Sequence, residues 1–163
     1  MFRPMRRIRQ QLSQAECDAI LQKCSSGVLA VAGDDGYPYT VPMSYLYQDG
    51  RLYFHCAKSG HKLDAVRREP KVSFCVVGQD DVVPERFTTH YQSVVAFGRI
   101  RVLEDAQEAH AATDALMRRY APASTEACRT AEITREMLAL SVWEMTIDHM
   151  TGKEAIELLR ARG

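Results

Sequence analysis

Several features are scarce or missing in this 163-residue chain, and each absence excludes a class of protein. The formal net charge is zero because 21 basic side chains balance 21 acidic ones, so no overall field favours nucleic acid or a membrane surface. No long apolar run follows the basic start, so we expect neither a signal peptide nor a membrane-spanning helix. Internal repeats and low-complexity segments are also missing. We therefore predict a globular protein that acts on a small molecule, without a nucleic-acid or membrane partner.

Cysteine is present, but not in a pattern that binds a metal. The five cysteines are odd in number and show neither a Cys-x-x-Cys pair nor zinc-like spacing with histidine. We predict no metal site, and reduced thiols in a cytoplasmic protein. Cys56 and Cys75 lie inside predicted strands, where the expected role is that of a small buried hydrophobic residue.

The most informative stretch, residues 52–77, predicts a strand, a basic turn, a short helix and a second strand. Helix-compatible residues run from His61 to Glu69, and the residue before Pro70 is pushed out of helical geometry. The first N–H groups of a helix have no partner within it, so they can bind an anion. Gly60 permits close approach to the backbone, and His61 and Lys62 add donor groups. We predict a phosphate site here; the alternative is a set of merely solvated basic residues.

The rest of the chain predicts six strands joined by short hairpins, with helices between some of them. Ser13 and Glu16 form a capping box that predicts a helix from Ser13 to about Cys24. The other predicted elements are strands over 28–32, 37–47, 52–57, 71–77, 91–103 and 140–147, a loop over 78–89, helices over 105–121 and 125–138, and a helical tail from 151. This pattern suggests one domain over 1–163, a small antiparallel barrel with a flexible basic arm over 1–11.

Two prolines mark an expected opening in the second predicted strand. Proline cannot donate to a central ladder, so Pro38 and Pro42 predict that this strand lies at an edge. The backbone of Val41, Pro42 and Met43 could then face a ligand. An ordinary edge strand is the alternative.

Several segments together resemble a known family. The run YFHCAKSGHKLDAVRREPKVSFCV, with PYTVPMSYLY before it and HYQSVVAFGRIRVLED after it, looks like the flavin-binding split-barrel family of pyridoxamine 5'-phosphate oxidase. The opening MRRIRQQLSQAECDAIL and the late DHMTGKEAI look most similar to the nitroimidazole-resistance branch of that family. The resemblance covers nearly the whole chain and rests on the order and spacing of these segments.

The resemblance implies a mainly β fold with peripheral helices, namely a six-stranded antiparallel split β-barrel with Greek-key connections. It also implies a homodimer that holds two FMN molecules in clefts between the subunits. The family's phosphate turn matches Gly60, His61 and Lys62, where the helix argument also predicts an anion. The other cofactor-binding positions that the resemblance implies are Val41, Pro42, Met43, Phe54, His55, Cys56 and Ala57, with Gln92 and Ser93 approaching from the neighbouring strand.

The chain departs from the oxidase pattern in two ways. The phosphate turn of the oxidase usually carries an arginine where this chain has His61, which implies weaker and more pH-dependent phosphate binding. The arginines that the oxidase uses for its pyridoxal substrate have no counterpart, which argues against vitamin B6 oxidation.

Two further side chains have both a structural and a functional interpretation. His55 lies on the strand expected to pass the cofactor, where it could donate a proton or be a satisfied structural residue. Trp143 could cover a ring across the dimer interface, but we predict that it packs in the core.

Flavin performs hydride and electron chemistry itself, so the protein need only bind and tune it. The leading hypothesis is an FMN-dependent oxidoreductase that passes electrons from a nicotinamide donor to a small aromatic acceptor, including nitro compounds. The alternatives are a deazaflavin-dependent reductase and a flavin- or haem-binding carrier or sensor without turnover. The identity of the bound cofactor separates them.

Overall fold

The structure, a computed structural model, describes residues 2–162 and contains one antiparallel sheet surrounded by helices. The strands are β1 (Gln11–Leu12), β2 (Ser26–Ala32), β3 (Pro38–Ser44), β4 (Leu46–Gln48), β5 (Arg51–Ala57), β6 (Lys71–Val83), β7 (Thr88–Val102) and β8 (Leu140–Glu154). The helices are α1 (Gln14–Lys23), α2 (His61–Arg68), α3 (Ala106–Tyr120), α4 (Glu126–Glu136) and α5 (Ile156–Arg162). No helix among these residues is long and apolar enough to cross a membrane.

Side-chain caps mark the starts of α1, α3 and α4. The Ser13 hydroxyl accepts a hydrogen bond from the Glu16 N–H, and the Glu16 carboxylate accepts one from the Ser13 N–H, which confirms the predicted capping box. The side chains of Asp105 and Thr125 accept backbone N–H groups at the starts of α3 and α4, without the reciprocal bond.

The order of the strands shows how the barrel closes. The order is β3-β2-β6-β7-β8-β5-β4, and β1 pairs with β8. The two edge strands, β3 and β4, are separated in the chain by Tyr45 alone, so the sheet must curl until its edges meet. At this break the hydroxyl of Tyr120 accepts from the Tyr45 N–H at 2.9 Å and donates to the Tyr45 carbonyl at 2.6 Å. This confirms a mainly β split barrel, with the split held by a tyrosine of α3.

The structure has eight strands where the sequence predicts six. One additional strand is the two-residue β1, and the other arises because the predicted strand 37–47 is divided at Tyr45 into β3 and β4. The edge position predicted for the Pro38–Pro42 segment is confirmed, since β3 pairs only with β2 among the described strands.

Two local predictions are wrong. Residues 78–89 are not a loop, because β6 and β7 continue as a paired ribbon beyond a register shift at Gly78. The tail is not helical from residue 151, since β8 pairs with β7 as far as Glu154.

Met1, the first residue of the predicted arm, lies outside the described residues. From Ile8 the arm forms a 3-10 turn and then β1, and Gln10 is buried with its amide donating to the Glu154 carbonyl.

The barrel interior is packed with aromatic rings. Phe74 makes edge-to-face contacts with Phe54 at 5.1 Å and with Tyr45 at 5.0 Å between ring centroids. The hydroxyl of Tyr45 donates to the carbonyl of Leu21 in α1, which lies against the barrel. Trp143 is fully buried and donates to the Ser141 hydroxyl, so its predicted role in core packing is confirmed.

Candidate functional site

The start of α2 is an uncapped helix end. Gly60 precedes it with φ +119° and ψ 166°, a backbone conformation that essentially only glycine adopts. No side chain among the described residues caps this end. The Gly60 carbonyl accepts from the N–H groups of Leu63 and Asp64, so the amides of His61 and Lys62 lie ahead of the helical hydrogen-bond ladder. Such an end favours an anion.

The two basic side chains of this turn differ in how they are held. The His61 ring stacks on Tyr39 at 4.2 Å between centroids, and its Nε2 lies 3.3 Å from a carboxylate oxygen of Asp34, which Arg68 also contacts. Within residues 2–162, Lys62 has no carboxylate at ion-pair distance. Lys62 is therefore the cationic side chain of this turn that is available to bind an anion.

Strand β5 leads into this turn and presents two different faces. Phe54 and Cys56 point into the barrel and are buried, whereas His55 and Ala57 are exposed on its outer face. Burial raises the pKa of the Cys56 thiol to about 11, although the charge of Lys62 opposes this shift. Of the four predicted site residues on β5, only His55 and Ala57 can offer side chains to a ligand outside the barrel.

Strand β3 divides in the same way. Val41 and Met43 pack against the core, and Pro42 and Ser44 are exposed on the outer face. The predicted ligand contacts of Val41 and Met43 are thus limited to their backbone groups.

The remaining two predicted residues, Gln92 and Ser93, lie elsewhere in the chain. They were expected on a strand neighbouring β5, but β8 lies between β5 and β7. His55 pairs with Val142 of β8, and Ser93 pairs with Lys153, eleven residues further along that strand. At about 3.3 Å per residue this separation is roughly 35 Å along a straight strand. A single chain therefore does not bring these residues to the site.

Their side chains also point in opposite directions. Gln92 donates to the carboxylate of the buried Glu154 at 3.4 Å, so Ser93, its neighbour in the strand, faces outward.

The outer faces of β2, β6 and β7 carry an exposed apolar surface. Val77 is 58% exposed, Val28 is 40% exposed and Phe97 is 37% exposed, although each lies on an interior strand of the sheet. We call Val28, Val77 and Phe97 the apolar sheet face.

A cavity of about 360 Å³ lies beside His55, between the barrel and the α3–α4 hairpin. It is lined by Ser44, His55, Thr113, Leu116, Met117, Tyr120, Glu132, Ile133, Glu136 and Leu140. We call this space the hairpin cavity. The sequence did not reveal it, because the spacing of apolar residues in α3 predicts packing but not a gap in that packing.

A polar cluster around Glu144 lies apart from these features. The buried carboxylate accepts hydrogen bonds from Arg101 at 2.9 Å, Arg51 at 3.1 Å and Tyr53 at 3.2 Å. Burial acts to raise the pKa of Glu144, but the bonds and charges of these partners hold it below its usual range. Because the carboxylate is fully partnered, we interpret the cluster as structural. Among residues 2–162, no three His, Cys, Asp or Glu side chains gather as a metal site.

Several solved structures share this fold. A candidate 5-nitroimidazole antibiotic resistance protein from Bacteroides thetaiotaomicron is 23% identical, with a TM-score of 0.76 over 88% of this chain and 86% of that chain. A FAD-binding protein from Mesorhizobium loti is 26% identical, with a TM-score of 0.61 over 89% and 96%. A FAD- and haem-binding protein from Mycobacterium smegmatis is 23% identical, with a TM-score of 0.74 over 94% and 80%.

Sequence comparison assigns the family. No curated protein matches the chain. The family model described as pyridoxamine 5'-phosphate oxidase matches residues 13–154, which is most of the chain and includes β3, β5, α2 and both helices of the hairpin cavity. The resemblance read from the sequence is confirmed, and this chain belongs to the pyridoxamine 5'-phosphate oxidase family.

Proposed function

We propose that this protein is an FMN-binding oxidoreductase whose phosphate site is the start of α2. The observation that carries the proposal is the uncapped helix end at Gly60, which is reached from the exposed face of β5. It is followed by Lys62, which has no carboxylate at ion-pair distance among residues 2–162. Membership of the family and similarity to a FAD-binding protein support a flavin as the ligand.

The phosphate contacts would come from the backbone and from one charged side chain. The amides of His61 and Lys62 would donate to phosphate oxygens, and the absence of a Cβ at Gly60 leaves room for them. Lys62 would add a charge-assisted hydrogen bond, which contributes about 1.5–3 kcal/mol. His61 would act mainly through its stacking on Tyr39, which shapes the turn.

The ring system would lie against the outer faces of β3 and β5. Pro42, His55 and Ala57 expose side chains there, and Val41, Met43, Phe54 and Cys56 would contribute backbone groups only. When bound, flavin supplies the hydride and electron transfer. The chain binds and orients it, and the imidazole of His55 is positioned to hold or donate a proton.

We further propose that the protein works as a homodimer that buries the apolar sheet face. Exposed valine and phenylalanine on interior strands favour a partner surface of the same kind. A second copy would also provide a route by which Ser93 could reach a flavin held by the other subunit. Light scattering should give twice the mass of the chain, and a monomer that binds FMN tightly would contradict this assembly.

The reaction we propose is electron transfer from a nicotinamide donor to a small aromatic or nitro acceptor, in a reducing cytoplasm that keeps all five cysteines as thiols. Similarity to the candidate nitroimidazole resistance protein supports the acceptor class. The visible spectrum of the purified protein, with mass spectrometry of what heat releases, identifies the cofactor. Released FMN is the expected result, whereas a deazaflavin or haem would replace the proposal with the corresponding alternative.

Turnover is tested by anaerobic stopped-flow mixing of photoreduced protein with a nitroimidazole. We expect reoxidation faster than that of free reduced FMN, and slower reoxidation in His55→Ala. A rate no faster than that of free FMN would favour a carrier, and an unchanged rate in His55→Ala would remove that residue from the mechanism.

A further inference from the structure

The hairpin cavity is large enough to hold a ligand. An engineered apolar cavity of about 150 Å³ binds benzene. At about 360 Å³, the hairpin cavity has more than twice that volume and falls within the range of small-molecule sites. It could therefore accept a substituted aromatic ring.

Its walls combine an apolar body with a polar rim. Leu116 and Met117 of α3 and Ile133 of α4 line the cavity on the side of the hairpin, and they suit a flat apolar ring. Ser44 and His55 supply hydrogen-bonding groups from the barrel side. The hydroxyl of Tyr120 is already bonded to the backbone at Tyr45 and Ser25, so it shapes the wall without being free to bind.

The rim carries an excess of negative charge. Glu132 and Glu136 lie four residues apart on α4 and both line the cavity. Arg135 contacts both carboxylates, with its Nε 3.0 Å from Glu136, and its side chain is 68% exposed. One exposed guanidinium shared by two carboxylates leaves a net charge of −1, and exposed pairs of this kind are weak. The rim therefore favours a cation over an anion.

We propose that the hairpin cavity is a binding site for a small aromatic molecule that carries a protonated amine or another cationic group. The ring lies between the barrel and the apolar side chains of α3 and α4, and the cationic group reaches the carboxylates of Glu132 and Glu136. This inference rests on the cavity alone and does not require flavin. If the proposed function also holds, a molecule in this site lies beside His55 and is placed to be the electron acceptor.

Three matched probes test the charge preference: benzylammonium, its neutral counterpart benzyl alcohol, and the anion benzoate. Their binding to the purified full-length protein is followed by titration in protein-observed NMR at low ionic strength. We expect benzylammonium to bind roughly three- to ten-fold more tightly than benzyl alcohol, and benzoate to bind most weakly. Equal binding of all three, or binding of none, would overturn the proposal.

Two sets of variants locate the site. The double variant Glu132→Gln and Glu136→Gln should remove the preference for benzylammonium, whereas Glu126→Gln, an exposed position of α4 that does not line the cavity, should keep it. Met117→Trp should weaken the binding of every probe because the larger side chain occupies part of the cavity. If that variant loses the wild-type circular dichroism spectrum, Ser44→Phe narrows the cavity from an exposed strand position instead.

The outcomes also separate this inference from the proposed function. If the double variant keeps its preference for benzylammonium, or if Met117→Trp or Ser44→Phe binds the probes as the wild-type protein does, the probes bind elsewhere. Either result would contradict the inference. Because no step of the titration uses flavin, failure of FMN to bind would leave a positive result intact.

Discussion

The two faces of β5 show how one strand serves two purposes. On its inner face Phe54 and Cys56 are buried in the aromatic core, where neighbouring side chains fix them. On its outer face His55 and Ala57 are exposed, and the strand continues into the uncapped start of α2. Side chains on the inner face contribute mainly to the stability of the fold, whereas side chains on the outer face are available to bind a ligand. Substitutions at adjacent positions should therefore have different consequences.

The largest effect should come from the inner face. Phe54→Ala removes a fully buried ring that packs on Phe74, so we expect a loss of about 3–5 kcal/mol in the free energy of unfolding. The adjacent outer-face substitution His55→Ala should change it by less than about 0.5 kcal/mol. Urea unfolding followed by circular dichroism measures both. Similar losses at the two positions would contradict the division of the strand into two faces.

A smaller effect is expected at the turn that follows. Gly60→Ala forces a Cβ into the φ +119° conformation, although no atom lies within 4 Å of that Cβ. Backbone strain alone should therefore cost about 1–3 kcal/mol, and relaxation of the turn should weaken FMN binding. Ser59→Ala is the control, since it leaves the strained position unchanged. Wild-type stability and FMN affinity in Gly60→Ala would show that the turn does not depend on glycine.

The same comparison predicts a difference in thiol reactivity. The inward-facing Cys56 has a pKa raised to about 11 by burial, whereas Cys128 is exposed on α4. The thiolate is the reactive form, so alkylation of Cys56 at pH 8 should be at least about ten-fold slower than that of Cys128. Mass spectrometry of the iodoacetamide-treated native protein gives both rates. Faster modification of Cys56 would mean that its side chain is not inside the barrel.

The smallest effect should be found at Glu16, in the first turn of α1. Hydrogen bonds from the backbone and side chain of Ser13, aided by Arg162, lower the pKa of Glu16 from 4.5 to about 2. A lowered folded-state pKa stabilises the protein above pH 4.5, and that contribution is lost as the pH falls towards 2. Because the side chain is partly exposed, we expect no more than about 1 kcal/mol.

The test is Glu16→Gln, whose destabilisation should be visible at pH 7 and should largely disappear near pH 2. Gln14→Ala on the same helix is a control without a titrating group. A cost for Glu16→Gln that is the same at both pH values would exclude the charge as its cause.

Much of the fold was predictable because local patterns determine it. The Ser13–Glu16 capping box, the turn at Gly60 and the prolines of β3 each act through nearby atoms, and their predicted consequences are present. The ribbon over residues 78–89 was missed because its polar side chains are exposed on a two-stranded extension, where strand pairing leaves no alternating apolar pattern.

The candidate site was less predictable because it depends on distant contacts. The sequence identified β5 and the α2 turn, but it did not distinguish inward from outward residues among Phe54, His55 and Cys56. Ser93 was expected near the site because strand order cannot be read from one sequence. The hairpin cavity could not be predicted because it depends on how α3 and α4 are placed against the barrel, and that placement is determined by tertiary packing.

We propose that the start of α2 holds the phosphate of FMN, and a titration with two ligands tests this site. Wild-type protein and Lys62→Met are each titrated with FMN and with riboflavin, which lacks the phosphate. We expect the wild-type protein to prefer FMN and Lys62→Met to lose roughly ten- to hundred-fold in FMN affinity, with riboflavin affinity unchanged. An undiminished preference for FMN over riboflavin in Lys62→Met would contradict a phosphate site at the start of α2.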